Sequence, residues 1–98
     1  MLPFEDQERQ LRKKFKHAPD FGVHAPPGPA GWRAFYDAVA AHLAEAEPIA
    51  GTYRGEARTL CFCKRTGLVA IFDGGLFVSG WLCSPAQARA ITERGALS

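Results

Sequence analysis

The sequence predicts an α+β domain: two N-terminal helices packed on a four-stranded antiparallel sheet, followed by a short C-terminal helix. Three observations carry this. Apolar residues in the first half recur at intervals of three and four, the period of an amphipathic helix. From about residue 51 the period falls to two, broken by glycine-bearing turns. A Ser-Pro start and a Gly stop then bracket one last helix. Helices followed by a meander fit an α+β layer arrangement and not an alternating α/β one. The 98 residues read as a single domain, 1–98, long enough to bury a core without metal or disulfide staples.

The first helix is expected over residues 4–17. Phe4, Leu11 and Phe15 share one stripe of it, and Pro19 ends it because the residue before a proline avoids the α region. His17 then falls in the last turn, four residues from Lys13 and three from Lys14, so both lysines are its neighbours. The helix dipole raises the proton affinity of an imidazole placed there, and adjacent lysines lower it. The sequence leaves that balance open. "HAPPGPAG", residues 24–31, is a turn-rich connector. A second helix is expected over 30–46, with Trp32, Phe35, Tyr36, Val39 and Leu43 on its apolar face and Pro48 beyond its end.

Strands are expected at 51–54, 58–63, 68–73 and 76–83, the last three joined by hairpins at "KRTG" and "DGG". The closing helix, 85–93, has Ser84 as N-cap, Pro85 at its first position and Gly95 after it. Helices gathered on one face of such a sheet leave the other open to solvent or ligand. Uninterrupted alternation in "LFVSGWLC" points Leu76, Val78, Gly80 and Leu82 one way, as a core set. Phe77, Ser79, Trp81 and Cys83 point the other way.

Composition narrows the function classes. Net charge is +2, so partners are indicated by where charge lies and not by its total. Arg9, Arg12, Lys13, Lys14 and Lys16 crowd the first helix beside His17. No apolar run reaches membrane-span length, and no signal peptide opens the chain, so a cytoplasmic site of action and no membrane partner are expected. Cys61, Cys63 and Cys83 are odd in number and lack zinc spacing. They read as small buried hydrophobes or idle thiols of a reducing compartment. His24 and His42 form no ligand set with them, so neither metal nor cofactor is expected, and no nucleotide-binding fingerprint is present.

Two places could carry chemistry. A lysine-rich helix face is ordinarily only solvated, but beside His17 it matches what RNA cleavage requires. The ribose 2′-OH attacks the adjacent phosphate, a base removes its proton, and cations stabilise the charge that builds on the phosphate oxygens. Ser79 and Trp81 on one strand face offer a hydroxyl for a phosphate and an indole for a base. The plainer reading makes Trp81 part of a second small core and Ser79 a surface residue.

"KKFKHAPDFGV", "GTYRG" and "FVSGW", in that order, with a final "RGAL", resemble the C-terminal nuclease domain of the colicin D family over nearly the whole chain. The resemblance implies a barnase-like small ribonuclease architecture. It implies a toxin that cleaves the anticodon loop of tRNA, in the family arginine tRNAs, by metal-independent transesterification. It maps catalytic roles onto His17, Lys14, Ser79 and Trp81, and phosphate contacts onto Lys13, Lys16 and Arg54. It implies tRNA as substrate and an acidic immunity protein or antitoxin as partner. "CFCKRTGL" departs from the family in its cysteines. With Met1 at its start and no receptor-binding or translocation region, the chain is expected to be an intracellular toxin or a fragment of a larger effector. The alternative is a non-catalytic module that binds RNA or an immunity protein, in which His17 would be dispensable.

Overall fold

In the computed structural model, which describes residues 1–98, five strands form one sheet ordered β4-β3-β2-β1-β5. Strands β1 (Glu47–Tyr53), β2 (Glu56–Phe62), β3 (Leu68–Asp73) and β4 (Leu76–Leu82) are the antiparallel meander. The fifth, β5 (Ala96–Leu97), is parallel to β1 and was not foreseen. It fits because Gly51 lacks a side chain: a Cβ there would lie 2.1 Å from the Gly95 carbonyl oxygen. The α+β class holds, with one strand added to the expected four.

The helices are α1 (Phe4–Lys13), α2 (Pro29–Glu45) and α3 (Pro85–Arg94). The first stops short of the expected residue 17. Pro19 has no N–H to extend an α-helical ladder, and Phe15–Phe21 wind into a 3-10 helix closed by Gly22 at φ 84°. The termini of α3 fall where Ser84 and Gly95 put them. Ser84 Oγ accepts from the Gln87 N–H, and Gly95 is left-handed at φ 62°.

Alternation along β2 and β3 separates two cores. On one face Leu11, Phe35, Val39, Ala70, Phe72 and Phe77 join α1, α2 and the 3-10 helix to the sheet. On the other, Leu60, Phe62, Val69 and Ile71 pack with Ile91 of α3 and Leu97 of β5. The helices are therefore not confined to one face, and α3 covers part of the face expected to be open.

A bulge in β4 corrects the strand reading. Ile71 pairs with Ser79 but Phe72 with Phe77, which leaves Val78 as an extra residue. One inserted residue reverses every side chain beyond it. Ser79 and Trp81 keep their common face, but Phe77 turns into the first core. Leu76 and Leu82, expected in a core, are 46% and 52% exposed. Gly80 does face the first core: a Cβ there would come within 2.8 Å of the Val69 carbonyl oxygen and 3.0 Å of the Phe21 ring.

His42 is buried, and its Nε2 donates to the Cys61 carbonyl oxygen over 2.9 Å. Cys61 and Cys63 are buried as well. No helix is long and apolar enough to cross a membrane.

Candidate active site

The 3-10 helix supplies the imidazole. Side chains three apart align on such a helix, which sets Lys14 (its N-cap residue), His17 and Asp20 along one edge. Asp20 Oδ2 accepts from the Leu82 N–H over 2.9 Å and ties this edge to the end of β4. The His17 and Trp81 rings thereby meet, with centroids 6.0 Å apart and planes tilted 47°.

The indole is fixed from the other side. Trp81 Nε1 donates to Gln87 Oε1 over 3.1 Å, and the same oxygen accepts from the Ser84 N–H over 2.9 Å. The capping box of α3 is thus also the clamp on Trp81. Beyond Trp81 lies Tyr53, with ring centroids 5.8 Å apart. The Arg54 guanidinium lies over the Tyr53 ring, 5.2 Å from its centroid. The row His17–Trp81–Tyr53–Arg54 joins the 3-10 helix, β4 and the β1–β2 turn.

Arg54 is the only non-glycine residue at positive φ, 52°, and Gly55 follows at 79°. Tyr53 pairs with Glu56 across this two-residue loop. Two positive φ values are the signature of a type I′ turn, which favours Asn-Gly. Arginine holds the first position against that preference.

Electrostatics resolve the balance that the sequence left open. Partial burial is the chief cause holding the His17 pKa below 6.5. Lys16 and then Lys14 act in the same direction, and the Asp20 carboxylate opposes them. At neutral pH the imidazole is therefore mostly unprotonated, the form of a proton acceptor.

Of the sequence-derived site residues, His17, Trp81, Lys14, Lys16 and Arg54 fall in this neighbourhood. Ser79 lies on the Trp81 face of β4 but is only 1% exposed, so it is no surface residue. Trp81 packs partly on the second core, as the plainer reading has it, and its ring also meets that of His17. Lys13 instead lines a separate hollow with Arg9, Gln10, Leu76 and Phe77. Arg12 lies over Trp32, 4.2 Å from the ring centroid, and pairs with Glu8 at 3.8 Å, so part of the basic run packs the helices together.

Three neighbours escaped the sequence reading: Tyr53, Asp20 and Gln87. Gln87 had a signal, since Ser84-x-x-Gln87 is a capping-box pattern. Tyr53 stood inside "GTYRG", and only its arginine was singled out. Asp20 follows His17 by three residues, a spacing that becomes informative only once the segment is known to be 3-10.

A family profile described as colicin D matches residues 10–91. The chain belongs to the colicin D family. Colicin-D of Escherichia coli is 35% identical over 81 residues, a match covering 79% of this chain and 12% of that protein. This chain is therefore similar to a small part of its curated relative. Among solved structures, a ribonuclease from Escherichia coli complexed with its inhibitor protein superposes with a TM-score of 0.78 at 35% identity. That superposition covers 90% of this chain and all (100%) of the other.

Proposed function

We propose that residues 1–98 form a toxin ribonuclease domain that cleaves the anticodon loop of tRNA, arginine tRNAs by family resemblance, through metal-independent transesterification. The observation that carries this is the largely neutral imidazole of His17 set 6.0 Å from Trp81. Lys14 and Lys16 stand close enough to depress its pKa. Membership of the colicin D family and likeness to a solved ribonuclease support the reading.

The mechanism follows from the charges. The lysines and Arg54 draw in the phosphate backbone, an attraction that weakens with salt. Neutral His17 removes the proton of the ribose 2′-OH as that oxygen attacks phosphorus. A 2′,3′-cyclic phosphate forms as the bond from phosphorus to the 5′-oxygen breaks, and that oxygen leaves as a hydroxyl with a proton supplied by a lysine or by water. Lys14 and Lys16 stabilise the charge that builds on the phosphate oxygens, and a correctly aimed donor of this kind is worth about 10²–10³ in rate. Ser79, matched to the family motif but buried on the Trp81 face of β4, is assigned a part in positioning Trp81 and the phosphate-facing surface from beneath. Trp81 holds the imidazole at its side and presents its uncovered part to a splayed base.

An acidic immunity protein or antitoxin covering this cationic surface is proposed as the partner, since charge complementarity speeds and directs such association. The solved neighbour carries an inhibitor protein of its own.

Purified protein incubated with total tRNA and EDTA tests the reading. Discrete fragments of about half length ending in cyclic phosphate are expected from the position of the anticodon loop, with none from His17→Ala. Intact tRNA with retained binding would instead identify a non-catalytic RNA-binding module.

A further inference from the structure

Behind Trp81, between α3 and β5, runs a groove of about 480 Å³ that the proposed mechanism leaves unused. Gln87, Ala90, Arg94, Ala96, Leu97 and Ser98 line it. It adjoins the candidate site at both sides. Gln87 is the residue that holds the Trp81 indole. Leu97 accepts, through its carbonyl, the backbone N–H of Arg54 over 2.9 Å.

The Gln87 carboxamide has only one orientation available. Its Oε1 accepts from two fixed donors, Trp81 Nε1 and the Ser84 N–H. A flip would set the NH₂ group against both of them. Nε2 donates to nothing in the protein, so the amide turns two unused N–H bonds away from Trp81. Small alanine side chains keep the walls low. Arg94 and Arg54 take part in no ion pair, which leaves two guanidinium groups free for phosphate.

We propose that this groove is the subsite for the nucleotide next to the cleaved bond, with the Gln87 amide reading its base and Arg94 and Arg54 holding its phosphates. The inference deepens, and rests on, the ribonuclease reading above. A fixed NH₂ group favours a base that presents a carbonyl, guanine O6 or uracil O4. It disfavours the amino group that adenine or cytosine carries at the corresponding place. The domain thus selects guanine or uracil at one position beside the scissile phosphate.

The probes are 2′-O-methyl trinucleotides, which cannot be cleaved, with one base varied at a time. Wild-type protein is expected to favour guanine or uracil at one position by roughly 5- to 10-fold in affinity, the size of one hydrogen bond. Gln87→Glu keeps the acceptor for Trp81 and Ser84 but replaces the donor with an acceptor, so the order reverses. Arg94→Ala weakens all four bases alike and lowers the salt slope by about 1. In the unmodified protein the Gln87 side-chain NH₂ resonances should shift on titration. Unmoved Gln87 resonances, or the same base order in Gln87→Glu as in wild type, overturn the proposal. Unmoved resonances in a protein that cleaves tRNA would overturn the subsite and leave the ribonuclease reading standing. Shifted resonances in a protein that leaves tRNA intact would overturn the ribonuclease reading and, with it, a subsite beside a cleaved bond, leaving the groove as a base-binding site of a non-catalytic module.

Discussion

The imidazole of His17 and the indole of Trp81 lie 6.0 Å apart, centroid to centroid, although one belongs to a 3-10 helix near the N-terminus and the other to the last long strand. Each is held by its own polar anchor. Asp20 binds the 3-10 helix to the Leu82 N–H, and Gln87 binds the indole. The pair is thus placed by two independent hydrogen bonds and not merely by packing, and this makes its behaviour predictable.

The first consequence is a pH profile. The His17 pKa lies below 6.5, chiefly through burial. The acid limb of kcat/KM for RNA cleavage should therefore have an apparent pKa below 6.5. Asp20→Asn keeps an acceptor for Leu82 but removes the charge that favours protonation, so the limb should move to lower pH still. A limb that stays put or rises in this variant would count against the assignment. Stability follows the same sign. Folded His17 holds its proton less tightly than unfolded His17, so its contribution is full above about 6.5 and is lost as pH falls toward the folded value.

Gly80 explains the middle of "SGW". A methyl group there would meet the Val69 backbone oxygen at 2.8 Å and the Phe21 ring at 3.0 Å. Phe21 ends the 3-10 helix that carries His17. Gly80→Ala should cost about 1–3 kcal/mol by overpacking and should lower RNA cleavage further by pushing that helix off the sheet. Chemical denaturation and tRNA cleavage measure the two effects. Wild-type values for both would show that the close approach is unimportant.

How far the sequence foretold this site depended on the kind of signal. The ends of α3 were readable because Ser84, Pro85 and Gly95 act locally. The shared face of Ser79 and Trp81 was readable because they are two apart on one side of the bulge. Leu76 was misplaced because nothing in "LFVSG" marks Val78 as extra; that residue is defined by its partner strand. Leu82 keeps the face of Gly80 and is exposed because β4 ends there. The 3-10 segment was hidden because an apolar stripe through Phe15 suits either helix type over so few residues. Strand β5 was hidden because two residues carry no period.

Gln7 makes a separate prediction about the frame. It is fully buried (0% exposed), its Nε2 donates to the Gly75 carbonyl over 2.6 Å, and its Oε1 accepts from the Phe77 N–H over 2.9 Å. Gln7→Leu would strip partners from two backbone groups beside the β3–β4 turn, each costing about 1–3 kcal/mol. A marked fall in stability is expected, and Gln7→Glu should fall as well, because it keeps the acceptor for Phe77 but loses the donor to Gly75 and buries a charge. Wild-type melting temperatures in either variant would contradict this role.

Arg54 sets stability against binding. At φ 52° it occupies a left-handed position that costs an L-residue about 1–2 kcal/mol, less for asparagine. With Gly55 it fills the turn that Asn-Gly favours. Arg54→Asn should therefore raise the melting temperature, by about 4–8 °C if 1 kcal/mol is recovered. The same change removes the guanidinium over Tyr53, so RNA affinity should fall and its dependence on log salt should flatten by about one phosphate contact. Thermal melts and salt-titrated binding of wild type and variant measure both halves. A variant that melts lower than wild type would mean the turn is not strained. One that binds RNA with an unaltered salt slope would mean Arg54 does not reach the backbone. Opposite movement of the two quantities is the result that a strained residue retained for its charge requires.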